Sequence, residues 1–213
     1  MTVSWQACRE VPGRDSVRKA VLLAFSIALL TAVSAVSLRA DDDAMPKVGE
    51  KAPTFKLPSQ NGQKISLKSL RGKWVVVYFY PKDMTTGCTI EAHKFQDAQT
   101  DFAARNAVIL GVSVDSTTSH QQFCAKDGLT FHLLSDTSHK VVKAYGSLGG
   151  RNGVVMASRN TFLIDPTGKI KNVWVKVTPA TAASDVIAAL PAPLIPVESV
   201  KPPGPQTATP PAQ

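Results

Sequence analysis

Cysteine is scarce in this sequence: there are three in 213 residues, and no two of them form a C-x-x-C pair. A thiol-disulfide oxidoreductase of thioredoxin type needs such a pair at the start of a helix, and position 85, three residues before Cys88, is threonine. His93 lies five residues after Cys88, but a Cys88–His93 pair offers too few ligands for a metal. Charge of one sign is also thinner than the total of +8 implies. Residues 1–40 hold five of the 24 Lys/Arg and two of the 16 Asp/Glu, which leaves 19 bases against 14 acids, +5, for residues 41–213. Those bases are scattered among acids, with no Arg/Lys stripe interleaved with aromatics, so nucleic-acid binding has no support. The excess reads as a solvated surface. No repeat of 20–50 residues appears.

The two ends differ from the middle. Residues 1–19 carry Arg9, Arg14, Arg18 and Lys19, and "AVLLAFSIALLTAVSAV" then runs from Ala20 to Val36 without a charge. Small residues follow, with Ala35 and Ala40 as cleavage positions, ahead of Asp41–Asp43. A basic start, an apolar middle and a small-residue exit describe an export signal over residues 1–40. The competing reading is an uncleaved membrane anchor, since this run reaches the lower limit for a span. Ser26, Thr31 and Ser34 weaken it as a permanent span. On either reading the rest of the chain is expected outside the cytoplasm, in the periplasm or an equivalent space, with the membrane as a partner only if the segment is retained. Cys8 precedes the apolar run and leaves with a cleaved signal. Residues 191–213 hold eight of the fifteen prolines and read as a disordered or extended tail.

Residues 41–190 read as one domain. "KWVVVYFY" (Lys73–Tyr80) is apolar on both faces, as expected of a central buried strand. Cys88, Ala92, Phe95, Ala98 and Phe102 recur at steps of four and three, which predicts a helix over 88–105. "AVILGVSVD" (Ala107–Asp115) is a second buried strand, after which Ser116 caps a polar helix ended by Gly128. "FHLL" reads as a short edge strand and "SHKVVKAYG" as a short helix. "RNTFLIDPTGKIKNVWVKV" reads as two antiparallel strands joined by a turn at Asp165–Gly168, and Ala180–Leu190 as a final helix. The order β–α–β–α–β–α–β–β–α calls for an α/β fold with a mixed central sheet and helices on both faces. The thioredoxin-like architecture has this order, and so do other α/β sandwiches.

Within that frame Cys88 occupies a position suited to chemistry. The loop at the C-terminal end of the first central strand is where ligands approach an α/β sheet. Pro81 ends the strand, Gly87 lets the backbone turn closely, and Cys88 falls in the first helical turn. Unpaired amide N–H groups and the helix dipole favour a thiolate there. Thr85 sits three residues earlier, where its hydroxyl can aim at the same sulfur. The alternative is a small buried hydrophobe, which many free cysteines are.

"PKDMTTGC" contains P-x-x-x-T-x-x-C at Pro81, Thr85 and Cys88, and this resembles the peroxiredoxin signature. "KAPTFKLPSQNGQKISLKSLRGKWVVVYFYPKD", "FHLLSD", "KAYG" and "RNTFLIDPTGKI" are similar to the peroxiredoxin Q, or bacterioferritin comigratory protein, group, and the likeness covers about residues 47–190. The resemblance implies that Cys88 attacks a hydroperoxide as thiolate and becomes a sulfenic acid. It also implies that Pro81 shields the site, Thr85 holds the peroxide, Arg159 stabilises negative charge and Glu91 orients Arg159. From residues alone, Arg159 would be an ordinary surface base and Glu91 an acid favoured in a first helical turn.

The chain departs from the group at Met84 and Thr86, and at His93, where many relatives carry the second, resolving cysteine. Part of the group keeps that cysteine in the next helix instead, which implies Cys124 as the resolving residue. Read without the family, Cys124 is a helix anchor packing on the sheet. The resemblance further implies recycling by a thioredoxin-like dithiol reductant, a monomer, a role in antioxidant defence and no haem, flavin or other cofactor. A non-catalytic extracytoplasmic binding or metal-chaperone module is the rival from another class.

Overall fold

A computed structural model of the chain describes residues 45–196 and 199–200. The export signal expected at 1–40 and residues 201–213 of the proline-rich tail lie outside the described residues.

The described chain opens with a hairpin of β1 (Lys56–Pro58) and β2 (Lys64–Ser66), then a 3-10 turn at Leu67–Leu70. β3 (Trp74–Phe79), β4 (Ala107–Ser113) and β5 (His132–Ser135) follow, with α1 (Thr86–Asp97) and α2 (Gln99–Ala104) between β3 and β4, and α3 (Thr117–Asp127) between β4 and β5. Next come α4 (Lys140–Ala144), a second hairpin of β6 (Leu148–Arg151) and β7 (Val154–Ala157), then β8 (Thr161–Ile164), β9 (Ile170–Trp174) and α5 (Ala182–Ala189). The central sheet has the order β5-β4-β3-β8-β9, with β3, β4 and β5 parallel and β8 antiparallel to both β3 and β9.

The side chains of β3 explain why the sheet is covered twice. Successive strand residues point to opposite faces. Val76 and Tyr78, with Tyr80 just beyond, face a core built with Phe95 of α1, Phe102 of α2, Phe123 of α3 and Val186 of α5. Val75, Val77 and Phe79 face a second core with Leu67 of the 3-10 turn, Val142 of α4 and Tyr145. An unbroken run of β-branched and aromatic residues is therefore required here, and alternation would leave one face unfilled. The mixed sheet with helices on both faces is the α/β, thioredoxin-like arrangement expected from the element order.

Two expectations change. The single helix expected over 88–105 is two helices, broken at Ala98 (φ −89°, ψ 3°). Gln96 Oε1 accepts the Thr130 N–H (2.9 Å) and Gln99 Nε2 donates to Thr130 Oγ1 (2.8 Å), so tertiary bonds fix the chain across the break while Phe95 and Phe102 stay in one core. The β1–β2 and β6–β7 hairpins went unread because three- and four-residue strands carry too little periodicity. The polar helix behaves as expected: Ser116 Oγ accepts the Ser119 N–H and Gly128 closes it at φ 66°.

Candidate active site

Strand pairing brings the site together. Because β3 and β8 are antiparallel with Tyr78 opposite Thr161, the start of β8 lies beside the end of β3. Arg159, two residues before Thr161, is thereby carried to the loop that follows β3. Its backbone is fixed by the Val177 N–H donating to the Arg159 carbonyl (2.9 Å), and Asn160 next to it accepts from the Lys176 N–H (3.1 Å).

The loop itself is tightly determined. Tyr80 N–H still joins the sheet through the Val112 carbonyl (3.1 Å), and Pro81, lacking an N–H, ends the ladder. Asp83 N–H donates to Asp115 Oδ2 (3.0 Å), and the Thr85 hydroxyl donates to the Lys82 carbonyl (3.0 Å). Between these two bonds Met84 is held at φ 57°, a left-handed conformation that non-glycine residues adopt at a cost of roughly 1–2 kcal/mol. Thr85 then starts α1 from an extended conformation (φ −87°, ψ 149°) without its side chain capping the helix.

Cys88 lies in the first turn of α1 and is 1% exposed. Arg159 Nη2 stands 3.4 Å from its sulfur, and Arg159 Nη1 donates to Glu91 Oε2. Glu91 is one helical turn beyond Cys88 on the same face and is fully buried; its second oxygen, Oε1, has no hydrogen-bond partner in the structure. Burial raises the Glu91 carboxyl to about 7, opposed by the charge and hydrogen bond of Arg159. Burial acts to lower the Arg159 guanidinium, but Glu91 and Cys88 outweigh it and hold it above its ordinary value. Gly87 is where the guanidinium crosses the helix start: a methyl group there would lie 3.3 Å from Arg159 Nη2 and 3.7 Å from the Pro179 ring.

The residues expected from the sequence are thus placed as follows. Cys88, Glu91 and Arg159 are in direct contact as a chain of thiol, guanidinium and carboxylate. Thr85 is adjacent and exposed, but its proton points to Lys82 rather than to the sulfur. Pro81 is half-buried at the end of β3. Cys124 is half-buried on α3, packed against the same core that contains Cys88, and both cysteines are free thiols. Burial, then Asp83 and Asp127, push the Cys124 thiol up to about 12. His93 is exposed on α1 and pairs with Asp127 of α3 at 3.3 Å. Sequence reasoning passed over Asp83, His120 and Ser119, which form a buried polar cluster behind the loop. The usable signal was a histidine three positions before Phe123 on the one apolar face of a polar helix.

Comparison with known proteins gives this geometry a family. The AhpC/TSA family profile matches residues 48–173, more than half of the chain. A putative peroxiredoxin bcp of Coxiella burnetii is 42% identical over 151 residues, covering 68% of this chain and 98% of the relative. Peroxiredoxin Q of Xanthomonas campestris superposes with a TM-score of 0.63 at 38% identity, over 67% of this chain and 95% of that one. Cysteine-to-serine variants of that protein have been solved at two positions 36 residues apart. A further structure, of the Xanthomonas campestris bacterioferritin comigratory protein, concerns alkyl peroxide reduction and a trapped intermediate and ligand complex; it superposes at TM-score 0.63 and 36% identity, over 67% and 96% of the two chains. The chain belongs to the AhpC/TSA family and, within its thioredoxin-like peroxiredoxins, to the peroxiredoxin Q/Bcp group, thiol-dependent peroxidases acting on hydroperoxides.

Proposed function

We propose that this chain is an exported two-cysteine peroxidase in which Cys88 reduces hydrogen peroxide or an alkyl hydroperoxide and Cys124 resolves the product. The observation that carries the reading is the contact between Cys88 Sγ and Arg159 Nη2, at 3.4 Å, in the first turn of a helix. A guanidinium and free amide N–H groups both favour a thiolate, the reactive form of cysteine.

In the first step the Cys88 thiolate attacks one peroxide oxygen. A sulfur–oxygen bond forms, the O–O bond breaks, and the electron pair leaves on the second oxygen, which takes a proton and departs as water or alcohol. Cys88 is oxidised to a sulfenic acid. A shifted thiol pKa contributes at most tens-fold to rate, whereas enzymes accelerate by ~10⁶ or more. Most of the acceleration must come from holding charge on the leaving oxygen. Arg159, fixed by Glu91, is the positioned cation for it. The Thr85 proton is committed to the Lys82 carbonyl, so its oxygen is free to accept the peroxide O–H and orient the substrate. Pro81 closes the loop without adding a competing donor.

In the second step the Cys124 thiol attacks the Cys88 sulfenic sulfur. A disulfide forms and the hydroxyl leaves as water. Two observations support Cys124 in this role. Cys88 is 1% exposed, which keeps a protein reductant from reaching its sulfur directly. Its spacing to Cys124, 36 residues, equals the spacing of the two cysteines replaced in the Xanthomonas peroxiredoxin Q variants. A thioredoxin-like dithiol donor then reduces the disulfide. The basic, apolar and small-residue pattern of residues 1–40 supports export, with a mature N-terminus near residue 36 or 41. The test is mass spectrometry of the mature protein after one equivalent of peroxide. A Cys88–Cys124 peptide pair is expected; a sulfenic acid or intermolecular Cys88 dimer alone overturns the two-cysteine mechanism.

A further inference from the structure

The helix that carries Cys124 is weakly anchored by ordinary packing. Among the residues of α3 only His120 and Phe123 are fully buried, Cys124 is half-buried against the core, and the rest are polar except Ala125. What it has instead is a buried cluster at its first turn. The Asp83 carboxylate, in the loop just before Cys88, accepts the Tyr80 hydroxyl at 2.7 Å, the Ser119 hydroxyl at 2.6 Å and His120 Nδ1 at 2.8 Å. A carboxylate can only accept, so Nδ1 is the donor. Tyr80 Oη also lies 3.3 Å from His120 Nδ1, and His120 Nε2 has no hydrogen-bond partner in the structure. At the other end of α3, Asp127 pairs with His93 of α1. None of these groups has a part in peroxide reduction.

We infer that the Asp83–His120–Ser119 cluster is a latch: it holds the Cys124 helix folded against the loop of Cys88, and its opening sets the rate of disulfide formation. The inference rests on the assignment of Cys124 as the resolving residue. Disulfide formation needs Cα atoms within about 7 Å of each other, and here the two cysteines stand on separate helices, Cys88 buried at the start of one and Cys124 in the last turn of the other. Moving α3 away from the sheet strips the Asp83 carboxylate of two of its three side-chain donors while it is still buried, so the cluster opposes that movement strongly. The same two carboxylates, Asp83 and Asp127, that anchor the ends of α3 also act on the Cys124 thiol and, with burial, hold it up at about 12. Release of the helix removes burial and both charges together. A thiol returned to its ordinary range near ~8.5 gains roughly a thousandfold in thiolate fraction at neutral pH. The latch therefore keeps Cys124 on its folded helix and unreactive while Cys88 meets the peroxide. Asp83 and Tyr80 belong to the loop, whereas Ser119 and His120 belong to the helix, so helix-side substitutions isolate the latch from the peroxide site.

The experiment compares Ser119→Ala and His120→Gln with the unaltered protein. Rapid mixing with hydrogen peroxide followed by thiol alkylation and mass analysis separates Cys88 sulfenic acid formation from Cys88–Cys124 bond formation. Both variants should form the disulfide faster, by on the order of tenfold for loss of one charge-assisted hydrogen bond, with sulfenic acid formation unchanged within about twofold and faster amide exchange over 117–127. Ser119→Ala is the milder change and keeps the test valid should His120→Gln fail to fold. Equal disulfide rates in Ser119→Ala and the unaltered protein overturn the latch alone. A parallel fall in sulfenic acid formation also overturns it, since the cluster would then be supporting Cys88 itself. Absence of the Cys88–Cys124 bond from the unaltered protein removes the latch together with the two-cysteine mechanism.

Discussion

Cys88 and Cys124 contribute to the same core on one face of the sheet, yet their surroundings are electrostatic opposites. Cys88 opens a helix and meets the guanidinium of Arg159; Cys124 stands in the last turn of a helix, where the dipole is negative, under the influence of Asp83 and Asp127. A positive charge stands beside the first sulfur, whereas burial and two carboxylates push the second thiol up to about 12. Under the proposed mechanism this difference would give two chemically identical side chains an order of action. On the two-cysteine mechanism proposed above, a peroxide entering this site would meet only one nucleophile, and the second would become competent when its helix moves. The contrast comes from what each helix end faces, since nothing in a cysteine distinguishes the two.

The comparison breaks most completely at the sulfurs. Cys88→Ser should abolish peroxide reduction, because an alcohol beside Arg159 is neither ionised nor soft enough to attack the O–O bond. Turnover above a few per cent of the unaltered rate in a coupled peroxide assay means that Cys88 is not the nucleophile. Cys124→Ser should instead leave the first oxidation intact, accumulate the sulfenic acid and lose turnover with a dithiol protein reductant. Equal losses of the first oxidation in both variants would erase the division of labour. Next in size is Arg159→Ala, for which kcat/KM should fall by roughly 30- to 1000-fold, the ~2–4 kcal/mol expected of a positioned charge or donor. Unchanged kinetics remove Arg159 from the reaction.

A smaller effect separates the two regions by pH. Burial raises Glu91 from its ordinary 4.5 to about 7. Below about 4.5 the carboxyl is protonated in both the folded and the unfolded chain. Between there and about 7 the folded chain keeps a proton that the unfolded chain has already released, so stability declines as pH rises and levels off above 7. The shift corresponds to about 3 kcal/mol. Denaturant titrations of the unaltered protein and Glu91→Gln across pH 4–8 should show this slope in the first and a flatter profile in the second. A flat profile in both means that the Arg159 charge keeps Glu91 ionised throughout.

How much of this was readable without coordinates depended on the range of the interaction. The β3 run, the capped helix at 117–127 and the strand pair around Asp165–Gly168 were legible because strand periodicity, Ser116 and the Pro-Gly turn act over a few residues. Cys88 and the Pro81–Thr85 spacing were legible as a motif. The break at Ala98 was not, because it is tied to Thr130, more than thirty residues away. Asp83 was not either: within "YPKDM" it reads as a loop acid, and only the packing of α3 over the strand end buries it beside His120, 37 residues on. Likewise Arg159 comes within reach of Cys88 through the antiparallel register of β3 and β8, which no local pattern encodes.

The smallest prediction concerns a place beside the site where that long-range register leaves little room. Gly87 has an ordinary negative φ, so its lack of a side chain is explained by crowding and not by backbone conformation. A methyl group at this position would stand 3.3 Å from Arg159 Nη2, closer than carbon and nitrogen normally rest, and 3.7 Å from the Pro179 ring, in ordinary contact. The guanidinium is the softer neighbour, yet it is held by buried Glu91 on its other nitrogen and cannot retreat freely. Gly87→Ala should therefore displace Nη2 from Cys88 Sγ by a few tenths of an ångström while leaving the helix intact, since alanine is the better helix former by about 1 kcal/mol. Misplacement of a catalytic donor by such distances costs about several-fold in rate. The expected result is a three- to tenfold lower kcat/KM for peroxide, on the order expected for a donor moved off its position, with thermal stability equal or higher. In Cys124→Ser the same substitution should slow sulfenic acid formation equally, because the effect lies on the Cys88 side. A Gly87→Ala protein with full peroxidase activity would show that the guanidinium tolerates displacement, and that the positive charge near Cys88 matters more than its 3.4 Å contact.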